Sequence, residues 1–210
     1  ESQKYFGNKR RVFVARYPLR RTLQKMDRAV ALKNLGFRSD LFTLLAVGGS
    51  QGAHRINEVV TQALVAHADR SSVQVVHICG AADVPFVEAA YQSSGVAHRV
   101  FAFLKEMHWA YAAADLAVSR SGAGCVQEML YFALPSILIP YPFAGGHQRH
   151  NARAVAKTGA AIVVEDALLT PSLLGGLITL FIRDEIRRKT MAHLAQALYE
   201  SSALLSLTDV

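Results

Sequence analysis

The chain has 210 residues, of which 51% are hydrophobic, and it carries a formal net charge of +7 with a pI near 9.6. Such a chain can bury the core of one large domain, and its charge favours anionic partners such as nucleotide phosphates, nucleic acid or an acidic membrane surface. No run reaches the roughly 18 apolar residues of a membrane span, and Cys79 and Cys125 lack metal-ligand or CxxC spacing, which excludes a disulfide scaffold and favours a soluble, cytoplasmic protein.

The first 40 residues are the least regular part of the sequence. They open without a methionine, and a basic stretch, Lys9 to Arg11, leads into an apolar run, Val12 to Val14. We interpret the apolar run as a strand and the polar start as the cut end of a longer chain.

From residue 41 onwards, apolar runs alternate with segments of helical periodicity. The predicted strands are Leu41 to Val47, Val73 to Cys79, Leu116 to Ser119, Ser136 to Ile139 and Ala161 to Val164. The predicted helices are Ala53 to His67, Pro85 to Ser93, Met107 to Ala114, Gly124 to Phe132 and His147 to Thr158. This alternation predicts an α/β fold with a doubly wound parallel sheet and helices on both faces.

After Val164 the pattern becomes purely helical. We predict helices from Pro171 to Phe181 and from Asp184 to Leu205, with Thr170 as an N-cap before a first-turn proline. These last two helices should pack over the sheet.

A glycine-rich loop, Gly48-Gly49-Ser50-Gln51-Gly52, joins the first of these strands to its helix. Glycines let the backbone approach a ligand, and the amides and dipole of the following helix favour an anion. The alternative is a plain tight turn. Neither familiar nucleotide motif fits: no Gly-Lys-Ser/Thr follows, and the next strand ends at Cys79-Gly80 without an acid, so an NAD enzyme is a weak alternative.

A second turn of small residues, Ser119 to Gly124, repeats this design. Because parallel strands present their carboxyl ends at one edge, the two turns can converge on one ligand across a switch point, as a diphosphate would need. Glu128 follows Gly124 by about one helical turn, where its carboxylate could accept hydrogen bonds from a ribose diol. The alternative for Glu128 is a solvated helix charge.

A third loop runs from Pro140 to Asn151 and enters a polar helix. His147, Gln148 and Asn151 offer donors and acceptors suited to sugar hydroxyls, and we identify no nucleophile with a paired base. The spacing of His147 and His150 would suit a metal, but a third ligand is missing, so we predict neither a metal nor a cofactor.

Five ordered motifs together resemble one family closely. They are GGSQGA at 48 to 53, SRSGA at 119 to 123, Glu128, ALPSILIPYP at 133 to 142 and HQRHNA at 147 to 152. The sequence is similar to the MurG-type N-acetylglucosaminyltransferases, which make lipid II in peptidoglycan synthesis. The resemblance implies a GT-B glycosyltransferase whose Rossmann-like C-terminal half binds UDP-N-acetylglucosamine without a metal. Residues 1–40 would then be an interdomain segment with the first strand and helix, and residues 41–210 the UDP-sugar-binding domain.

The resemblance also implies roles for individual residues. Phosphate contacts would come from the glycine-rich loop and a preceding arginine: Arg20, Gly49, Ser50 and Gln51. Contacts to the rest of the donor would come from three later segments: the backbone of Leu104 for uracil, Glu128 for ribose, and His147 and Gln148 for the sugar hydroxyls.

The sequence also departs from the family pattern. Arg16-Tyr17 replaces a usual Gly-Asn, Lys105-Glu106 replaces two acids, and Gly145-Gly146 replaces a polar pair. The family's N-terminal motif, whose histidine is the proposed general base, is absent, as is the domain for the lipid-linked acceptor. We therefore expect no turnover by this chain alone, and we leave its catalytic residues unassigned. The full enzyme would lie peripherally on the inner face of the cytoplasmic membrane.

Two alternatives remain open at this point. The chain could be a stand-alone UDP-sugar-binding subunit that recruits a separate acceptor subunit, or it could be part of a UDP-sugar epimerase of similar fold. A nucleic-acid role is disfavoured because the basic residues are scattered without an aromatic platform. The basic group formed by Arg183, Arg187, Arg188 and Lys189 is interpreted as a solvated helix face, with a membrane contact as the minor alternative.

Overall fold

A computed structural model describes residues 17–48, 53–143 and 146–201, so the apolar run at residues 12–14 lies outside it. Within these ranges, six parallel strands form one sheet, in the spatial order β3-β2-β1-β4-β5-β6. The strands are β1 (Phe42–Val47), β2 (Val73–Ile78), β3 (Ala97–Phe101), β4 (Leu116–Ser119), β5 (Ser136–Leu138) and β6 (Ala161–Val163).

The winding of the sheet reverses between two neighbouring strands. Strand β1 pairs with β2 on one side and with β4 on the other, both in parallel. Successive connections therefore leave β1 and β4 in opposite directions, which opens a crevice at their carboxyl ends. The predicted fold class, a doubly wound parallel α/β sheet, is confirmed.

Eight helices of the described residues cover the sheet. They are α1 (Arg28–Leu35), α2 (His54–Val65), α3 (Val84–Ser94), α4 (Met107–Ala113), α5 (Ala123–Tyr131), α6 (His147–Ala156), α7 (Pro171–Arg183) and α8 (Glu185–Ser201). The predicted N-cap of α7 is confirmed, since the Thr170 hydroxyl accepts a hydrogen bond from the backbone N–H of Leu173 at 3.2 Å. Helix α7 packs against α2, and α8 packs against α5.

Alternate residues of the central strands enter two separate cores. Leu44, Val75 and Val118 pack on one face with α2, α3 and α7, whereas Leu45 and Val76 pack on the other face with α1, α4 and α5. Helices cover both faces of the sheet, so β1, β2 and β4 are buried along their whole length. Burial on both faces explains why these strands are continuous apolar runs in the sequence.

Strand β3 lacks such a run, and the sequence did not predict it. It lies at the edge of the sheet with the sequence Ala-His-Arg-Val-Phe, and its residues are partly exposed. A strand paired on one side can carry polar side chains, so its apolar signal is weak.

Within the part of the chain that the structure describes, no helix combines the length and apolar character needed to cross a membrane.

Candidate functional site

A cleft of about 700 Å³ lies at the carboxyl edge of the sheet, at the reversal between β1 and β4. Three segments form its walls: the end of β1 with the start of α2, the turn from β4 into α5, and the loop from β5 to α6. Its lining residues include Gly48, Ala53, Ser119, Gly122, Gly124, Tyr141 and Gln148. The structure thus brings Gly48 and Ala53, which flank the glycine-rich loop, together with the turn from β4 into α5.

Three helices begin around this cleft with their first amides uncapped by side chains. Helix α2 starts after Ala53, α5 after Gly122 and α6 after Gly146. At each of these three starts, the N-cap residue makes no side-chain hydrogen bond to the first amides of the helix. Gly146 has φ 78°, a left-handed conformation that favours glycine. Helix N-termini carry partial positive charge and unpaired N–H groups, so the edge is suited to an anion.

Ser121 fixes the turn between β4 and α5 to the start of α6. Its hydroxyl donates to the backbone carbonyl of Gln148 at 2.8 Å, and its own carbonyl accepts from Asn151 Nδ2 at 3.0 Å. Ser121 is fully buried, so the two Ser121 atoms in these bonds have no contact with water. Asn151, which the sequence suggested as a sugar contact, therefore uses its amide group to shape the turn.

Gln148 lines the cleft, and a hydrogen bond determines the orientation of its side-chain amide. The Gln148 Oε1 atom accepts a hydrogen bond from the backbone N–H of Tyr141 at 3.0 Å. Only the oxygen of the amide can accept from an N–H group, so Nε2 with its two hydrogens is the group that can be offered to a ligand. Gln148 is thus a hydrogen-bond donor toward the cleft.

Glu128 is buried on α5, with only 8% of the residue exposed, so the alternative of a solvated helix charge is wrong. Arg20 donates to both carboxylate oxygens, through Nε at 3.0 Å and a terminal nitrogen at 3.1 Å. The Tyr111 hydroxyl donates to Oε2 at 2.7 Å. Burial raises the pKa of Tyr111 well above its usual value, so this hydroxyl keeps its proton. Arg20, expected near the diphosphate, here orients the predicted ribose-binding carboxylate.

A second charged group at the cleft, Arg55, Arg120 and Asp166, was not predicted from the sequence. Arg120 donates to Asp166 Oδ1 at 2.5 Å, and its guanidinium lies 5.4 Å from the centre of the Tyr141 ring. Arg55 Nε lies 3.3 Å from the other Asp166 oxygen. Asp166 follows β6, and the rule that parallel strands end at one edge was the only signal for it.

Both cysteine thiols are protonated at neutral pH. Burial raises the pKa of Cys79 to about 11 and also raises the pKa of Cys125, which lines the cleft. A protonated thiol is a poor nucleophile, so neither residue suits covalent catalysis.

The remaining predicted site residues that the structure describes are not among those that line the cleft. Leu104 is buried, with 5% of the residue exposed, and it belongs to the core that includes Met107 and Tyr111. His147 is exposed at the first position of α6. Gly49, Ser50 and Gln51 lie outside the described residues. Among the residues that are described, no group of three or more His, Cys, Asp or Glu side chains could hold a metal ion.

A switch-point cleft surrounded by helix N-termini defines a ligand-binding α/β domain of the nucleotide-binding type. The sequence profile named "Glycosyltransferase family 28 C-terminal domain" matches residues 43–205. The chain belongs to this glycosyltransferase family.

Curated relatives are similar over nearly the whole chain. The UDP-N-acetylglucosamine--N-acetylmuramyl-(pentapeptide) pyrophosphoryl-undecaprenol N-acetylglucosamine transferase of Desulforamulus reducens is 34% identical over 211 residues, which is 97% of this chain and 57% of the relative. The protein of the same name from Geobacter metallireducens is 37% identical over 212 residues, which is 100% of this chain and 57% of the relative. The chain therefore spans just over half the length of these relatives.

Solved structures agree with the fold. The crystal structure of MurG from Acinetobacter baumannii superposes with a TM-score of 0.71 at 27% identity, covering 86% of this chain and 53% of that one. WaaG, a glycosyltransferase involved in lipopolysaccharide biosynthesis, superposes with a TM-score of 0.65 at 19% identity, covering 89% and 50%, and supports the fold alone. The predicted resemblance to MurG-type transferases is confirmed, as is the Rossmann-like half of a GT-B fold.

Proposed function

We propose that this chain is the donor-binding half of an inverting N-acetylglucosaminyltransferase that converts lipid I to lipid II. The donor is UDP-N-acetylglucosamine, and the observation that carries the proposal is the switch-point cleft with three uncapped helix N-termini. Relatives over 30% identical that are named for this transfer support the donor and the reaction. Residues 41–210 form the donor domain in this proposal, and residues 1–40 connect it to the rest of the enzyme.

The diphosphate lies between the start of α2 and the start of α5 in this proposal. Gly49, Ser50 and Gln51 contact it from the glycine-rich loop. The helix N-termini stabilise the negative charge that develops on UDP as it leaves, which is an electrostatic contribution to catalysis. Arg120, Arg55 and Asp166 at the same cleft carry one net positive charge, two arginines against one carboxylate.

Glu128 accepts hydrogen bonds from the ribose diol, and Arg20 with Tyr111 presents its carboxylate in a fixed orientation. The sugar lies toward α6, where Gln148 Nε2 donates to a hydroxyl and His147 is the second contact. Uracil meets the backbone of Leu104. The general base and the lipid-linked acceptor belong to an N-terminal domain, and the complete enzyme works at the inner face of the cytoplasmic membrane without nucleic acid as a partner.

Isothermal titration of the chain with UDP-N-acetylglucosamine and with UDP tests this function. Both ligands should bind, and Glu128→Gln should weaken both by about 10- to 100-fold, because charge-assisted hydrogen bonds to the ribose are lost. Glu200→Gln, an exposed substitution on α8, is the matched control and should bind as the wild type does. Absence of binding by a chain whose circular dichroism shows that it is folded would contradict the proposal.

A second variant separates the sugar from the nucleotide. Gln148→Glu keeps an oxygen for the Tyr141 N–H but replaces the Nε2 donors by a charged acceptor. We expect the affinity for UDP-N-acetylglucosamine to fall by about 10-fold more than the affinity for UDP. Equal losses for the two ligands would place the sugar elsewhere.

A further inference from the structure

A chain of hydrogen bonds runs from the core of the sheet to the lip of the cleft, and its proton positions are determined by elimination. Asn57 is fully buried, and its Nδ2 group donates both hydrogens, one to the Cys79 carbonyl at 2.8 Å and one to Asp83 Oδ2 at 2.6 Å. Asn57 Oδ1 must then accept, so His77 Nε2, 3.1 Å away, carries a proton.

His77 is neutral, because burial lowers its pKa to about 3. With its proton on Nε2, His77 Nδ1 has to accept, and the Tyr91 hydroxyl donates to it at 2.9 Å. Burial also raises the pKa of Tyr91, so this hydroxyl stays protonated. The bonds from Tyr91 through His77 and Asn57 to Asp83 therefore have one consistent direction, and the network ends on a carboxylate.

The other oxygen of that carboxylate pairs with a residue that lines the cleft. Asp83 Oδ1 lies 2.9 Å from Nδ1 of His54, the first residue of α2. Since a carboxylate accepts hydrogen bonds, His54 Nδ1 bears a proton, and Nε2 is the nitrogen that gains or loses one. The His54 side chain lines the cleft and is 73% exposed, so Nε2 is open to a ligand there.

We propose that His54, held by Asp83, is a further donor-binding residue: its imidazolium makes an ionic hydrogen bond through Nε2 to the diphosphate of the nucleotide sugar. This inference rests on the proposed function and adds a residue outside the family motifs described above. Protonation makes His54 a cation with a donor at the cleft, whereas the neutral ring presents only an acceptor, which a phosphate oxygen repels.

Several charged groups surround His54. Asp83 faces it from the turn before α3, Glu58 lies one turn further along α2, and the neighbouring Arg55 is bonded to Asp166. Across the cleft lies Arg120, also paired with Asp166. The hydrogen bond to Asp83 raises the pKa of His54, and the charges of Asp83 and Glu58 act in the same direction. The protonated form of His54 therefore persists to a higher pH than that of an ordinary histidine.

Binding of UDP-N-acetylglucosamine as a function of pH tests the proposal. Its diphosphate is esterified at both ends and has no group that titrates near neutral pH, so any dependence comes from the protein. We expect wild-type affinity to be about 3- to 10-fold weaker at about pH 8.5 than at about pH 6, and His54→Gln to bind with little pH dependence. Asp83→Asn should move the transition to lower pH.

Two controls and one spectroscopic measurement make the result specific. His193→Gln on α8 should retain the wild-type affinity and its pH dependence, and His147→Gln at the start of α6, whatever it does to the affinity, should retain the pH dependence. In an NMR titration, the pKa of His54 should rise when the ligand binds, because protonation and binding are linked reciprocally.

The outcomes separate the two proposals. Ligand binding that is equally strong across the pH range, or a His54 pKa that the ligand leaves unchanged, would overturn the role of His54 and leave the proposed function standing. A pH dependence that His147→Gln abolishes and His54→Gln retains would also overturn it. If the folded chain binds no nucleotide sugar at any pH, both proposals fail together.

Discussion

Two carboxylates lie near the cleft, the buried Glu128 and the partly buried Asp83, and they are held in different ways. The Asp83 cluster, formed by His54, Asn57, His77, Asp83 and Tyr91, joins its carboxylate through Asn57 to neutral groups of the core and, on its outer side, to the exposed His54. The Glu128 cluster, formed by Arg20, Tyr111 and Glu128, joins its carboxylate to an arginine whose side chain is 46% exposed.

This difference separates stability from binding. The core members of the Asp83 cluster, Asn57, His77 and Tyr91, share buried hydrogen bonds, so losing one of them leaves others unpaired without access to water. The Glu128 cluster opens to solvent through Arg20, and ion pairs of exposed side chains contribute little to stability. We therefore expect substitutions of Asn57, His77 or Tyr91 to act mainly on the fold, and substitutions of His54 or of the Glu128 cluster to act mainly on the ligand.

The largest effect should come from Asn57→Ala. The substitution leaves the Cys79 carbonyl, His77 Nε2 and one Asp83 oxygen without the amide that pairs them. We expect the free energy of unfolding to fall by about 2–4 kcal/mol, measured by urea denaturation. Asn34→Ala on the exposed face of α1 is the control, with an expected change below about 0.5 kcal/mol. Equal losses would show that the cluster adds no special stability.

Acid should destabilise the protein through His77. Its pKa is about 3 in the folded chain and near 6.5 when unfolded, so below about pH 6 the unfolded chain binds the extra proton. Stability is thus complete above that range and falls as the pH decreases toward 3, by up to about 1.4 kcal/mol per pH unit from this group.

The check is a series of urea unfolding curves between about pH 7 and about pH 4.5. His77→Gln should be less stable at neutral pH and lose less stability on acidification, whereas His193→Gln, on the exposed surface of α8, should follow the wild type. A wild-type acid dependence that survives in His77→Gln would mean that other groups cause it.

Tyr111→Phe should have the smallest effect on stability, about 1–1.5 kcal/mol, because it removes one hydrogen bond to a carboxylate that Arg20 still holds. Its effect on the ligand should be clearer: affinity for UDP should fall several-fold as Glu128 loses its fixed orientation. Calorimetric titration measures this loss. Tyr131→Phe serves as the control, because Tyr131 ends α5 and its ring packs edge-on against Phe132. Unchanged UDP affinity would remove Tyr111 from the binding account.

The sequence predicted the central part of the fold because the relevant signals are local. Both bounds of β4, Leu116 and Ser119, follow from a continuous apolar run that burial on two faces requires. Edge strand β3 lacks that run, since one side of it has no neighbouring strand.

The same contrast holds for the site. Glycine and serine turns at the ends of β1 and β4 are visible in sequence because strand, turn and helix are contiguous. Arg20 and Glu128 are separated by 108 residues, and Arg55 and Asp166 by 111, so their pairing depends on the folded sheet. The hydrogen-bond directions in the Asp83 cluster follow only from distances and burial, which no local pattern encodes.

Chemical-shift mapping of the chain with UDP-N-acetylglucosamine tests the central claim most directly, because it reports where the ligand lies. We expect the largest backbone amide shifts at the carboxyl edge of the sheet, in Ser121 to Gly124 and at Gln148. The smaller cleft of about 360 Å³, which Asp115, Pro135 and Lys189 line, should be unaffected. Shifts concentrated around that smaller cleft, with none at the turn from β4 into α5, would contradict the account.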